Sequence, residues 1–205
     1  MEEDAFNTID QESSEVLYKI KSSKFFATVF PVKTEADVEV AINKLRKKHH
    51  KARHFCYAWQ LGQHYEHYRA NDDGEPSNSA GMPIYGQLQA FELTNALIVV
   101  VRYFGGTKLG VGGLISAYKL TAKMAIEESQ ISKKLITKPI YVNCNYDMMD
   151  QVMRLANDLN LKIISQNLEL DCNFEIEIRE NKYAEYFDRF DQIYGLEVSK
   201  KPPEN

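Results

Sequence analysis

The sequence predicts an α+β protein of two domains, and three features of its 205 residues lead there. Over residues 15–136, short runs rich in β-branched and aromatic residues alternate with stretches of helical periodicity. From Lys138-Pro139 onward a second series of elements follows the order β-α-β-β-α-β, which is that of a ferredoxin-like domain. Charge divides at the same place: residues 1–138 hold 18 basic and 16 acidic side chains, whereas residues 139–205 hold 7 and 13.

The elements of the first domain are read in order. Residues 1–14 form an acidic tail. VLYKI and KFFATVFPV, joined by a Lys-Ser-Ser turn, read as two strands. Thr34 can cap a helix that has Glu35 and Asp37 in its first turn, places Val38, Ala41, Ile42 and Leu45 on one face, and ends in the basic run Arg46 to Lys51. Cations suit a helix C-terminus, and the same run would also suit a nucleic-acid surface. His54–Leu61 and residues 64–70 are strand-like around a Gly62-Gln63 turn, and a polar loop covers residues 71–78. Residues 79–91 look helical, with Ser77 or Ser79 as cap. Residues 95–103 form a continuous β-branched run of the kind covered on both faces. A glycine loop at 105–113 precedes a helix from about Leu114 to Glu128.

The second domain occupies residues 137–200, with a short tail at 201–205. Its strand IYVNCNY leads to a helix capped by Asp147. Strands LKIISQNL and CNFEIEI follow, then a helix through Tyr183, Phe187 and Phe190 and a last strand LEVS.

Composition bounds the function. With 44% hydrophobic and 26% charged residues the chain is globular and neither disordered nor fibrous. Its longest apolar run, residues 96–101, is too short to cross a bilayer, and Met-Glu-Glu-Asp lacks the parts of a secretory signal, so a cytoplasmic protein with no membrane role is expected. Cys56, Cys144 and Cys172 are odd in number, lie far apart and form no C-x-x-C pair; they read as reduced core thiols. Residues 19–138 carry 18 basic against 10 acidic side chains, a charge that suits an anionic partner or a solvated basic surface.

The chemistry concentrates in three places. Residues 105–113 contain five glycines, Gly105, Gly106, Gly110, Gly112 and Gly113, between a strand and a helix. Successive N–H groups there can line an anion-binding concavity, with Lys108 and Arg102 adding charge; the plainer reading is a tight turn with close packing. Neither a Walker loop nor a dinucleotide fingerprint is present, so no cofactor is expected. Asp72, Asp73 and Glu75 cluster in a turn that could hold a cation, supply acid–base groups or simply turn, and no metal site is assigned. His54 could serve acid–base chemistry or structure, and Tyr57, Trp59, Tyr65 and Tyr68 could stack bases or fill a core.

Three stretches, Ala52-Arg-His-Phe-Cys-Tyr-Ala-Trp, Asn71-Asp-Asp-Gly-Glu-Pro-Ser with Ala80-Gly-x-Pro, and Val101-Arg-Tyr-Phe-Gly-Gly-Thr-Lys-Leu-Gly-Val-Gly-Gly-Leu, closely resemble the signature of the IMPACT/YigZ family. The resemblance is strongest over residues 15–130, and the tail domain looks like that of bacterial members. It implies an N-terminal domain with the fold of the second domain of ribosomal protein S5, shared with domain IV of elongation factor G, and a second domain like that factor's domain V. It also implies a place in translation. Eukaryotic members bind an activator of a stress-responsive kinase, a role not carried over to this bacterial-type chain. The sequence departs from the pattern at two places: Asn78-Ser79 stands where relatives tend to have Gly-Thr, and Ser116 where many have arginine.

The expected function is a non-catalytic, translation-associated regulator that binds RNA or the ribosome through Arg102, Lys108 and the glycine loop. The alternatives are a regulator with a protein partner on the same surface, and an enzyme acting on a phosphorylated small molecule with His54, Asp72, Asp73 and Glu75 lining its site.

Overall fold

The computed structural model describes residues 4–168 and 171–202. The chain divides into two compact units, Phe6–Lys134 and a second built from residues 135 onward together with the start of the chain up to Ala5.

The first unit is built on a five-stranded antiparallel sheet of β2 (Val16–Ile20), β3 (Ser23–Pro31), β4 (His54–Leu61), β5 (His67–Asn71) and β6 (Ala96–Tyr103), in the order β2-β3-β6-β4-β5. Helix α1 (Glu35–Lys48) covers one face, and α2 (Gly81–Ala90) and α3 (Gly110–Glu127) the other. The central strand β6 is apolar at every position from 96 to 101 because successive side chains serve opposite cores. Ala96, Ile98 and Val100 join the cluster beneath α2 and α3, while Leu97, Val99 and Val101 join the one beneath α1. In α1, Thr34 and Asp37 form a reciprocal capping box: Asp37 N donates to Thr34 Oγ1 at 3.2 Å, and Thr34 N donates to Asp37 Oδ2 at 2.9 Å.

Several local expectations give way to longer-range contacts. The helix over 79–91 is capped by neither Ser77 nor Ser79. Asp72 reaches from upstream instead, its carboxylate accepting from Asn78 N at 2.8 Å, Ala80 N at 2.9 Å and Gly81 N at 2.8 Å. Helix α3 begins at Gly110 and not near Leu114, so that three of the five glycines form its opening turn. The run 1–14 is not wholly a tail. Ala5–Ile9 form strand β1, which pairs with β7 (Ile131–Leu135), and Phe6 and Ile9 are buried.

In the second unit, β8 (Thr137–Cys144), α4 (Met149–Asp158), β9 (Lys162–Leu168), β10 (Cys172–Arg179), α5 (Tyr183–Asp191) and β11 (Leu196–Ser199) follow the predicted ferredoxin-like order, with the sheet arranged β11-β8-β10-β9. Ile140, Val142, Phe174, Ile176 and Ile178 alternate inward to meet Val152, Ala156 and Phe190. Asn145, not Asp147, caps the first helical turn, accepting from Met148 N at 3.2 Å. Cys144 and Cys172, distant in sequence, lie directly opposite each other on β8 and β10, both buried. Burial and the neighbouring Cys172 push the Cys144 thiol up to about 11, so it stays protonated at neutral pH.

Asp4 belongs to this unit, where Arg179 donates to it twice, at 2.7 and 2.6 Å. Those bonds hold its carboxyl below the usual range. A depressed folded-state pKa gives stability that is complete above the unfolded value and is lost as pH falls through the folded one. Asp4→Asn should therefore lower stability near neutral pH and flatten its decline on acidification, read by urea titrations at several pH values.

Candidate nucleic-acid interface

Arg102 is the last arginine-sized interruption of an apolar strand, and its register decides its fate. It lies opposite Phe25 on β3 and His54 on β4, on the side of the sheet that faces α2 and α3. Its side chain is 6% exposed and Nη1 donates to Glu75 Oε1 at 2.6 Å, the Glu75 side chain being 5% exposed. Tyr118 Oη donates to the same oxygen at 2.8 Å. Cys56 Sγ lies 2.9 Å from the Asp72 carbonyl oxygen and 3.3 Å from Tyr118 Oη. The guanidinium stands over the rings of Phe25 and Phe104, 5.5 Å from each centroid, and Nε is buried with no hydrogen-bond partner among the described residues.

This cluster is internal and neutral overall. Burial, reinforced by nearby carboxylates, drives the Cys56 thiol far above its ordinary value, and burial does the same to the Tyr118 hydroxyl. Both remain protonated donors. Arg102, expected beside Lys108 at an anion, is thus the internal counter-charge of Glu75. Tyr118 was not singled out from sequence, although a tyrosine on the inner face of a helix needs a partner for its hydroxyl, and that was the available signal.

The other carboxylates of the turn are also engaged. Asp73 Oδ2 accepts from Phe55 N at 2.6 Å, Oδ1 lies 3.5 Å from Arg46 Nη2, and the Asp73 carbonyl accepts from His54 Nδ1 at 2.9 Å. That last bond places the proton on Nδ1, because a carbonyl can only accept. His54, Asp72, Asp73 and Glu75 are therefore neighbours, but each carboxylate serves a different set of protein donors. Of the aromatic candidates, Trp59 is buried and Tyr57 packs against the α1-side core. Tyr68 stacks on Tyr85 at 4.3 Å, and Tyr65 Oη donates to the Glu92 carbonyl at 2.8 Å.

The glycine segment has the opposite character. Gly105 passes so close to the β2–β3 turn that a Cβ there would fall 2.1 Å from the Ser22 carbonyl carbon, which explains the residue. Gly106 has φ +85°, and a Cβ there, or at Gly110 or Gly112, would meet nothing within 4 Å. Gly113 is tighter, with a Cβ 3.1 Å from Leu109 Cβ. Lys108 is exposed. Helix α3 opens with no side-chain cap and no acidic residue in its first turn, leaving its leading N–H groups without intrahelical partners.

Other cations gather at the end of the sheet where β6 leaves it. Lys24 lies opposite Tyr103, and Lys21 sits in the turn that Gly105 touches. The α1 terminus with Lys47, Lys48 and Lys51 is tied to the same place, because His49 Nδ1 lies 3.1 Å from Tyr103 Oη. Arg53 immediately precedes β4, and all of these cations are exposed. Glu15 at this end is occupied by His49 at 2.8 Å and Lys48 at 3.1 Å.

With this geometry in view, the relatives are informative. The Impact N-terminal domain family matches residues 21–126. The IMPACT family member YvyE of Bacillus subtilis is 32% identical over 180 residues, covering 86% of this chain and 82% of its own length. The IMPACT family member YigZ of Escherichia coli is 28% identical over 173 residues, covering 83% and 85%. A crystal structure of a hypothetical protein aligns with 98% of this chain and 99% of its own at a TM-score of 0.74 and 25% identity. The long central motifs, the matched domain and the relatives matched over most of their length agree, and the chain belongs to the IMPACT family.

Proposed function

We propose that this protein is a non-catalytic, translation-associated regulator that binds RNA or the ribosome through the basic end of its N-terminal unit. One observation carries the reading. Lys21, Lys24, Lys47, Lys51, Arg53 and Lys108 are exposed around the glycine segment, while Glu15, Asp72, Asp73 and Glu75 at the same end are held by internal partners. The surface that remains is cationic, and cations near backbone N–H groups suit phosphate. The translational setting is what the family resemblance implies, and the cytoplasm is the compartment it requires. Among the described residues no helix is long and apolar enough to cross a membrane.

The enzyme alternative draws little support. It needs His54, Asp72 or Asp73 free to exchange protons in one pocket, and the two aspartates are bonded to backbone N–H groups. The test is co-sedimentation of the protein with ribosomes and with RNA across a salt series, beside a variant carrying Lys47→Ala, Lys51→Ala, Arg53→Ala and Lys108→Ala. Wild type should sediment at low salt and be released steeply as salt rises, and the variant should stay in the supernatant. Equal sedimentation of both would remove the basic end from the interaction.

A further inference from the structure

Phe104 is 56% exposed at the junction of β6 and the glycine segment, a large apolar ring beside the Arg102 guanidinium and four residues before the exposed Lys108. From within the unit it is supported by the Arg102 guanidinium, and that group is fixed by Glu75 and by the Phe25 ring. The two residues that follow are glycines, so no side chain from them covers the ring. Phosphate binding alone has no use for such a ring. Resting on the RNA reading above, we propose that Phe104 is a stacking platform for an unpaired base, and that the nucleic acid bound is therefore single-stranded.

The chemistry favours this occupant over the others. An aromatic face bordered by lysines and arginines is what single strands require, since every base offers a π-face and every nucleotide a phosphate. In an A-form duplex the base faces are closed by their neighbours, leaving a protein only the shallow groove, the sugars and the phosphates. A protein partner would find Val111 and Ile115 exposed on the opening turns of α3, but protein interfaces are depleted of lysine, and the exposed Lys108 stands just before that helix start. The simplest alternative is that the ring only shields the Glu75–Arg102 pair from water. Leucine would preserve that shield and abolish stacking, so the two roles separate.

The experiment measures fluorescence anisotropy of a labelled oligouridine and of an RNA duplex of equal length with wild type, Phe104→Leu and Phe104→Trp, each confirmed folded by circular dichroism. Phe104→Leu should weaken the single strand about tenfold, a typical loss for one stacked base, and leave the duplex and the salt dependence unchanged. Phe104→Trp should restore or tighten single-strand binding. If Phe104→Leu binds oligouridine as wild type does, the ring is a shield and the stacking inference is overturned while the RNA reading stands. If wild type binds neither RNA at low salt, the RNA reading fails and takes the inference with it.

Discussion

The acidic turn at residues 71–80 and the glycine segment at 104–113 look alike as sequence, since each is a turn-rich stretch offering groups that a ligand might use. Their structures differ in direction. The acidic turn points inward: Asp72 caps α2, Asp73 fastens the start of β4, and Glu75 neutralises Arg102 beneath α3. The glycine segment points outward, anchored at Gly105 and bare at Gly106, Gly110 and Gly112. Charge in a polar loop is thus no guide to function until its partners are known. The carboxylates of the turn are held by the protein's own donors, whereas the cations around the glycine segment are exposed.

Substitutions can sharpen that contrast. The largest effect is expected at Arg102→Ala, which strands the Glu75 carboxylate in the interior; removing one partner of a buried pair costs about 3–5 kcal/mol, read as a lower denaturant midpoint. Joint replacement, Arg102→Met with Glu75→Leu, should recover much of that loss, because the uncompensated charge is gone. Gly105→Ala forces a methyl group against the Ser22 backbone and should cost about 1–3 kcal/mol. Asp72→Ala removes the cap of α2 and should cost about 1–2 kcal/mol, with α2 amides exchanging faster. Gly112→Ala, in an exposed helical turn with open space around it, should stabilise by about 0.5–1 kcal/mol. If Gly112→Ala destabilised as much as Gly105→Ala, the distinction between anchored and open glycines would be lost.

Much of the fold was legible because it is written in local periodicity. The doubly covered β6, the Thr34 cap and the β-α-β-β-α-β order all depend on neighbours in sequence. What escaped depends on distant partners. The pair Arg102 and Glu75 is separated by 27 residues, and so sequence alone offers Arg102 to an anion at the glycine loop. Strand β1, AFNTI, is short, does not alternate and has acidic residues on both sides, and β7 carries two adjacent lysines that read as connection. Helix α3 hid its start because glycine is a poor helix former, and its first turn is mostly glycine. Of the candidate site, Lys108 and the open glycines were recognisable as surface features, whereas Tyr118 and the capping role of Asp72 emerge only once the chain is folded.

In the proposed function the exposed cations, and not the buried Arg102, meet the RNA. Its most direct measurement is the slope of log affinity against log salt for a single-stranded RNA, taken with wild type, with the Lys47, Lys51, Arg53 and Lys108 alanine variant, and with the folded Arg102→Met, Glu75→Leu variant. Each single-strand phosphate contact contributes about 0.7 to that slope. Loss of all four surface charges should reduce its magnitude by nearly 3 by the same rule, while the buried-pair variant keeps the wild-type slope. A slope that falls for the buried-pair variant and holds for the surface variant would contradict the account.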